Sequence, residues 1–108
     1  MVLVLADAPA LRLRLPDSLQ KAGFRVRVGH GISEAVEIAS ADPPRAVVLD
    51  LLHGTEDAWR QLRRVVGDAR LIVAGTFTPH AVAERLQAFA YVPNGDVEAI
   101  VASLTTPS

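Results

Sequence analysis

Three polar side chains that could take part in chemistry stand at the ends of apolar runs of strand length. They are Asp7, Asp50 and Thr76. A carboxylate buried without a partner costs several kcal/mol or loses its charge, so we expect Asp50 to lie where a buried strand reaches the surface. If the three runs are parallel strands of one sheet, their polar ends meet at the edge where open α/β sheets bind ligands.

Composition excludes several kinds of catalytic and metal site. The 108 residues include no cysteine, which rules out a disulfide scaffold, a thiol nucleophile and a cysteine zinc site. The three histidines, His30, His53 and His80, share no metal-ligand spacing. The chain also has neither a nucleophile–base pair nor a glycine-rich phosphate loop. We therefore do not expect an enzyme.

Charge and hydropathy define the kind of protein. The formal net charge is -1 and 50% of the residues are apolar, which is typical of a globular chain and gives no reason to expect nucleic acid as a partner. No apolar run approaches the ~18 residues of a membrane-spanning helix, and the N-terminus lacks the basic start of a signal peptide. We expect a cytoplasmic protein without a membrane partner. One domain should cover residues 1–104, followed by a tail at 105–108.

The order of secondary-structure elements predicts an α/β fold. Strands are predicted over 2–6, 24–28, 46–52, 71–76 and 90–92, and helices over 9–22, 33–41, 56–66, 81–89 and 96–104. Five strands alternating with five helices predict a parallel sheet with helices on both faces. The second strand alternates apolar and basic residues, so it should lie at the edge of the sheet.

The first helix has an alternative as a strand. Residues 11–15 alternate apolar and polar side chains, and Pro16 inside a helix costs ~3 kcal/mol. However, Leu11, Leu15 and Leu19 follow helical spacing, and two parallel strands need a crossover between them. The helix is therefore favoured, with Gly23 at its C-terminal end.

Four of these segments, in this order and spacing, resemble the receiver domain of two-component response regulators. They are Leu3-Val4-Leu5-Ala6-Asp7-Ala8-Pro9, Val47-Val48-Leu49-Asp50-Leu51, Ile72-Val73-Ala74-Gly75-Thr76 and Tyr91-Val92. The resemblance covers nearly the whole chain. It implies a flavodoxin-like three-layer sandwich with a five-stranded parallel sheet in the order 2-1-3-4-5.

The resemblance also implies a chemistry and a site. The family transfers a phosphoryl group to the aspartate matching Asp50, and the matching Mg²⁺ ligands here are Asp50 and Asp7. Neighbouring strands lie ~4.8 Å apart, so the two carboxylates would form a like-charged pair that a divalent cation stabilises. Thr76 would contact the phosphoryl oxygen. Tyr91 matches the aromatic residue that turns inward when that threonine moves.

Simpler structural roles stay open for the same residues. Asp7 could be the N-cap of the first helix, a role that is compatible with metal binding. Asp50 could cap a neighbouring helix or simply end a strand, and Thr76 could be an ordinary strand-end residue. Tyr91 could be a packing residue with a solvated hydroxyl.

Departures from the family pattern fall on the rim of the implied site. Ala6 replaces a second acid, and Asn94 replaces a nearly universal lysine that contacts the phosphoryl group. The other departures are at His53, Gly54, Ala58 and Gly95, and the stretch from Thr76 to Tyr91 is about one helical turn short. Two missing charges predict weakly bound Mg²⁺ and impaired or absent phosphorylation of Asp50.

Two functions follow from this pattern. The first is a receiver-like domain of a response regulator in phosphorelay signal transduction, phosphorylated poorly or not at all at Asp50. The second is a pseudo-receiver that acts as an interaction or dimerisation module without phosphorylation. The expected partners are a histidine kinase or another signalling protein, and a second copy bound through the fourth helix, fifth strand and fifth helix. The last helix carries four apolar residues, Val97, Ile100, Val101 and Leu104, that could serve this contact.

Overall fold

The computed structural model describes residues 1–50, 55–75 and 78–105. The strands are β1 (Val2–Ala6), β2 (Val26–Val28), β3 (Ala46–Asp50), β4 (Arg70–Ala74) and β5 (Ala90–Val92). The helices are α1 (Pro9–Lys21), α2 (Ile32–Ala41), α3 (Glu56–Val66), α4 (His80–Arg85) and α5 (Val97–Thr105), with a 3₁₀ turn at Pro93–Gly95. None of the described helices is long and apolar enough to cross a bilayer.

All strand pairs are parallel, and the strand order is β2-β1-β3-β4-β5. Helices α1 and α5 pack on one face of the sheet, and α2, α3 and α4 pack on the other. The fold predicted from the sequence, a flavodoxin-like three-layer sandwich in the order 2-1-3-4-5, is therefore confirmed.

The central strands β1, β3 and β4 are apolar apart from Asp50 and Arg70 at strand ends, because both of their faces are buried. In β1, Leu3 and Leu5 point into the core beneath α2 and α3, whereas Val2, Val4 and Ala6 point into the core beneath α1 and α5. Strand β2 differs, since it pairs only with β1 and its Arg27 is exposed. Its predicted place at the sheet edge is confirmed.

Helix α1 forms in spite of the proline within it. Leu11, Leu15 and Leu19 are at most 2% exposed and pack against the sheet, whereas Leu13 is 76% exposed. Burial of this stripe outweighs the strand-like alternation, so the alternative strand at 11–15 is wrong. The helix ends as predicted at Gly23, whose positive φ allows the N–H of Phe24 to donate to the carbonyl of Leu19.

Helix α4 is shorter than predicted, and the prediction that it reaches Phe89 is wrong. It ends after Arg85 in a Schellman motif, in which the N–H of Ala88 donates to the carbonyl of Ala83 and Gln87 adopts a left-handed conformation. Phe89 lies beyond this turn. Its ring stacks on the Arg70 guanidinium, with 4.2 Å between the guanidinium carbon and the ring centroid.

A three-residue ion-pair cluster joins α3 to α4. The Glu56 carboxylate accepts a 2.8 Å hydrogen bond from Arg85 Nε and another from Arg60 Nη2, also 2.8 Å. The Arg85 guanidinium, and to a smaller extent Arg60, hold the pKa of Glu56 below its ordinary value of 4.5. In turn, Glu56 raises the pKa of Arg85. The cluster adds to the burial of Val82 and Ala83, which together hold a helix that is too short to be stable alone.

The lowered pKa of Glu56 predicts a pH dependence of stability. Because the folded-state pKa lies below the unfolded one, the carboxylate stabilises the fold above pH 4.5 and loses this effect as the pH falls through the folded-state pKa. Urea unfolding should therefore separate wild type from Glu56→Gln above pH 4.5 and bring them together in stronger acid. Asp57→Asn, in the same helical turn, is the matched control and should show a smaller difference. An equal pH dependence of the two variants would contradict the assignment.

Candidate functional site

Asp50 ends β3 and is fully buried, with 0% of its surface exposed. The sequence predicts that Asp50 lies where a buried strand reaches the surface. The strand does end at Asp50, but the prediction that its carboxylate reaches the surface is wrong. In the β1–β3 register Asp50 lies opposite Ala6. The backbone N–H of Asp7 donates to the carbonyl of Asp50 at 2.8 Å, which continues the ladder one residue beyond β1.

Thr78 stabilises the buried carboxylate. Its backbone N–H donates to Asp50 Oδ1 at 3.1 Å, and its hydroxyl donates to the same oxygen at 3.3 Å. Thr78 itself is only 1% exposed. Hydrogen bonds to the charged form offset part of the cost of burying a carboxylate, which is why Asp50 can lie inside. The sequence carries no signal for this contact beyond a threonine near the end of β4.

The predicted threonine, Thr76, lies outside the described residues, as do His53 and Gly54. Its expected contact with a phosphoryl oxygen therefore stays a prediction. In the part of the chain that the structure describes, Thr78 is the threonine that contacts Asp50.

Asp7 lies at the same edge of the sheet and is partly exposed. Its carboxylate faces Arg12 on α1, with 3.9 Å between Oδ1 and Nη2. The alternative of Asp7 as N-cap of α1 is wrong, because the N-cap residue is Ala8 and no side chain caps the helix. Arg12, which the sequence analysis did not single out, thus provides a positive charge next to one of the two predicted metal ligands.

The described residues fit a hydrated Mg²⁺ ion poorly. Mg²⁺ demands near-octahedral geometry and usually keeps several waters, yet Asp50 is completely buried and Asp7 is paired with a guanidinium. Within the described ranges, no group of three or more acidic or histidine side chains could hold a metal ion. Ala6, opposite Asp50, stands where a further carboxylate would complete such a set.

Tyr91 on β5 packs toward Thr78 and is half-buried. Its hydroxyl lies 3.4 Å from the carbonyl oxygen of Thr78, a long hydrogen bond. Its ring also packs against His80, with 4.8 Å between centroids. The ring lies directly over Gly75, where a Cβ atom would come within 2.5 Å of the tyrosine hydroxyl. The glycine is therefore needed for this position of Tyr91.

The remaining departures from the family pattern have plain structural roles. Asn94 and Gly95 form the 3₁₀ turn after β5, and both have positive φ. Ala58 lies in the first turn of α3, where its N–H donates to the N-cap hydroxyl of Thr55 at 3.2 Å. Asn94 carries no charge, so the position of the family's lysine supplies no cation.

Comparison with known proteins rests on solved structures. No protein-family model matches the chain, and no curated protein does. The chain is similar to a response regulator protein from Burkholderia pseudomallei, solved with a phosphorylated aspartic acid, a calcium ion and citrate. The identity is 27% and the TM-score 0.79 over 97% of this chain and 66% of that one. This chain therefore spans just under two thirds of the Burkholderia protein.

Two further structures show the same fold at lower identity. The chemotaxis protein CheY4 of Vibrio cholerae is 17% identical with a TM-score of 0.78, over 95% of this chain and 93% of that one. A CheY-like receiver domain protein from Methanospirillum hungatei is 11% identical with a TM-score of 0.81, over 95% and 88%. The resemblance to response-regulator receiver domains is thus confirmed, and the chain has their fold.

The packing of Tyr91 over Gly75 can be tested by a double-mutant cycle. Gly75→Ala should destabilise the fold by about 1 to 3 kcal/mol, the usual cost of overpacking, because the new methyl group displaces the tyrosine ring. In a Tyr91→Leu background the same substitution should cost much less, as coupled neighbours require. Chemical denaturation of the four proteins measures the difference. Equal penalties in both backgrounds would show that the ring does not lie over the glycine.

Proposed function

We propose that this chain is a receiver-like domain of a response regulator in two-component signal transduction, and that Asp50 accepts a phosphoryl group poorly or not at all. The observation that supports this most directly is the buried Asp50 carboxylate, whose Oδ1 accepts two hydrogen bonds from Thr78. Signalling through contacts, rather than turnover of a substrate, is the role that we assign to the domain.

Phosphoryl transfer places two demands on this site. The attacking carboxylate oxygen has to reach the donor in line, and fixed positive charge has to stabilise the equatorial oxygens. Asp50 is fully buried, so the residues around it, Thr78 among them, would have to move before the donor could approach. The charge is also reduced, because Asn94 stands in place of a lysine and Ala6 in place of a metal-binding acid. The loss of one electrostatic donor, here the lysine, typically lowers the rate by about 10² to 10³, and the loss of the acid weakens the hold on the metal ion.

A second candidate function is a pseudo-receiver that binds its partner without phosphorylation. One observation favours it: the contacts from Asp50 to Thr78 and from Thr78 to Tyr91 connect the end of β3 to β5 without a phosphoryl group. In this function the contacts among Asp50, Thr78 and Tyr91 hold one conformation of the binding surface. The domain does not switch between two conformations.

The proposed partners are a histidine kinase or another signalling protein, and a second copy bound through α4, β5 and α5. The apolar surface of α5 is smaller than the sequence suggests. Ile100 is 0% exposed, and Val97, Val101 and Leu104 are half-buried against the core beneath α1 and α5. A dimer through this face would therefore depend on polar contacts as well as on these side chains.

The proposed loss of phosphorylation can be measured by intact-protein mass spectrometry with Mg²⁺ and a small acyl phosphate. Unmodified protein should gain the mass of a phosphoryl group at least 10² to 10³ times more slowly than the charge-restored double variant Ala6→Asp/Asn94→Lys, because the lysine alone accounts for a factor of about this size. Adding Thr78→Ala should raise the phosphorylation rate further. The substitution removes the hydroxyl that donates to Asp50 Oδ1, so the carboxylate is less tightly held. Asp50→Asn is the control for phosphorylation elsewhere.

The outcomes separate the two candidate functions. Rapid phosphorylation of the unmodified protein at Asp50 would refute the proposal. If the charge-restored variant folds normally but takes up phosphate only with Thr78→Ala, burial is the main obstacle. If even the triple variant takes up none, the pseudo-receiver function replaces the phosphoacceptor one.

We also propose that any Mg²⁺ at this edge binds weakly, through Asp7 and Asp50. Isothermal titration calorimetry should show weaker binding in Asp7→Asn. In Ala6→Asp the Mg²⁺ affinity should rise about tenfold. This is the low end of the effect that a nearby opposite charge has on a pKa, about one unit. Ala6→Asn is the control of equal size without the charge. An affinity that neither Asp7→Asn nor Ala6→Asp changes would remove these positions from the metal site.

A further inference from the structure

Four arginines surround a cavity between α3 and α4. The cavity has a volume of about 330 Å³, and its lining consists of Arg60, Arg63, Arg64, Arg85, Leu86 and Gln87. Arg63, which lines the cavity, contacts Ala69 and Gln87, two residues that come just before β4 and β5. The cavity therefore lies at the amino ends of these strands, whereas Asp50 lies at the carboxyl end of β3. The site is therefore separate from the one described above.

Three of the four guanidinium groups are held in place by the fold. Arg60 and Arg85 both bind Glu56. Arg63 donates to the carbonyl oxygen of Ala69 at 2.7 Å and to that of Gln87 at 3.3 Å. A guanidinium carries five N–H donors, so each of these groups keeps donors beyond the ones used here. Groups that are already ordered lose less entropy when they bind a ligand.

Arg64 is the exposed member of the cluster, on the last turn of α3. Its side chain forms no hydrogen bond or ion pair with another described residue, so its charge is available without breaking a contact. The cavity thus combines a preorganised part, formed by Arg60, Arg63 and Arg85, with one side chain that can close over a ligand.

The local charge is strongly positive. Against the four arginines stands the Glu56 carboxylate, which leaves a formal excess of three positive charges. Glu84 also lies near Arg85, but its side chain is 69% exposed and it faces His80. Among the described residues, no acidic side chain and no aromatic ring lines the cavity itself. A ligand here would be recognised by negative charge and not by stacking.

We propose that this cavity binds the phosphate group of a small soluble molecule. Guanidinium groups match the oxygens of a phosphate through paired N–H donors, and a doubly charged tetrahedral anion can engage several of them together. The volume, near the lower end of the range for small-molecule sites, fits a phosphate with a short organic part. The phosphate competes with Glu56 for Arg60 and Arg85, so binding would weaken the link between α3 and α4.

The test is an NMR titration of the ¹⁵N-labelled protein in Mg²⁺-free buffer. The probes are inorganic phosphate in one arm and glycerol phosphate in another, which separates free phosphate from a phosphomonoester. We expect saturable shifts centred on residues 60–64 and 85–87. Arg64→Gln should weaken binding about threefold to fivefold, the range for an exposed ion pair. Arg27→Gln, an exposed arginine on β2, makes the same change in net charge and should leave the affinity unchanged.

A second pair of variants tests the competition with Glu56. Glu56→Gln releases Arg60 and Arg85, so it should tighten phosphate binding, whereas Asp57→Asn in the same turn should not.

Equal effects of Arg64→Gln and Arg27→Gln would show non-specific attraction only and overturn the proposal. Chemical-shift changes centred on other residues would also overturn the proposal. The same holds for binding that is not saturated at about 10 mM ligand, roughly ten times a millimolar dissociation constant. A polyglutamate peptide that binds this cavity more tightly than either phosphate would assign it to an acidic protein segment instead.

Discussion

The hydrogen bonds between Thr78 and the Asp50 carboxylate are the interaction on which the rest of the site depends. They join residues 28 positions apart, and both partners are almost completely buried. Breaking one member of such a pair leaves a buried charge with fewer hydrogen bonds, which costs more than the pair contributes when intact. The same residue, Thr78, presents its carbonyl to the hydroxyl of Tyr91. The position of the carboxylate and that of β5 are thus linked through one threonine.

The fold could be predicted from the sequence because it follows from simple periodicity. Strands β1, β3 and β4 are apolar apart from Asp50 at the end of β3 and Arg70 at the start of β4, because two helical layers cover them. Strand β2, with Arg27 exposed, alternates as an edge strand does. Helix α1 could be predicted despite Pro16, because the buried stripe of leucines stabilises it by more than the proline costs. The position of Asp7 and Asp50 at one edge also follows from the sequence, since parallel strands bring their carboxyl ends together.

The interior of the site could not be predicted, because it depends on contacts between segments that are distant in sequence. Nothing near Asp50 in the chain indicates that Thr78 will cover it. The pairing of Arg12 with Asp7 depends on how the first turn of α1 packs. The end of α4 was missed because a Schellman turn normally needs glycine, and here Gln87 takes the left-handed position at a cost of about 1 to 2 kcal/mol. The hydrogen bond from Arg63 to the Gln87 carbonyl helps to hold this turn.

Helix α4 is where the two ends of the domain are coupled. Isolated helices shorter than about 12 residues are marginal in water, and α4 has six residues. Its position is therefore set by tertiary contacts, namely the burial of Val82 and Ala83 and the contacts at its two ends. At its N-terminal end, His80 packs against Tyr91, next to Thr78 and the Asp50 carboxylate. At its C-terminal end, Arg85 binds Glu56 on α3. We infer that a change in one set of contacts affects the other, because the same short helix carries both. A receiver-like domain with a covered carboxylate could thus still be controlled, through the arginine cavity at the far end of this helix instead of through Asp50.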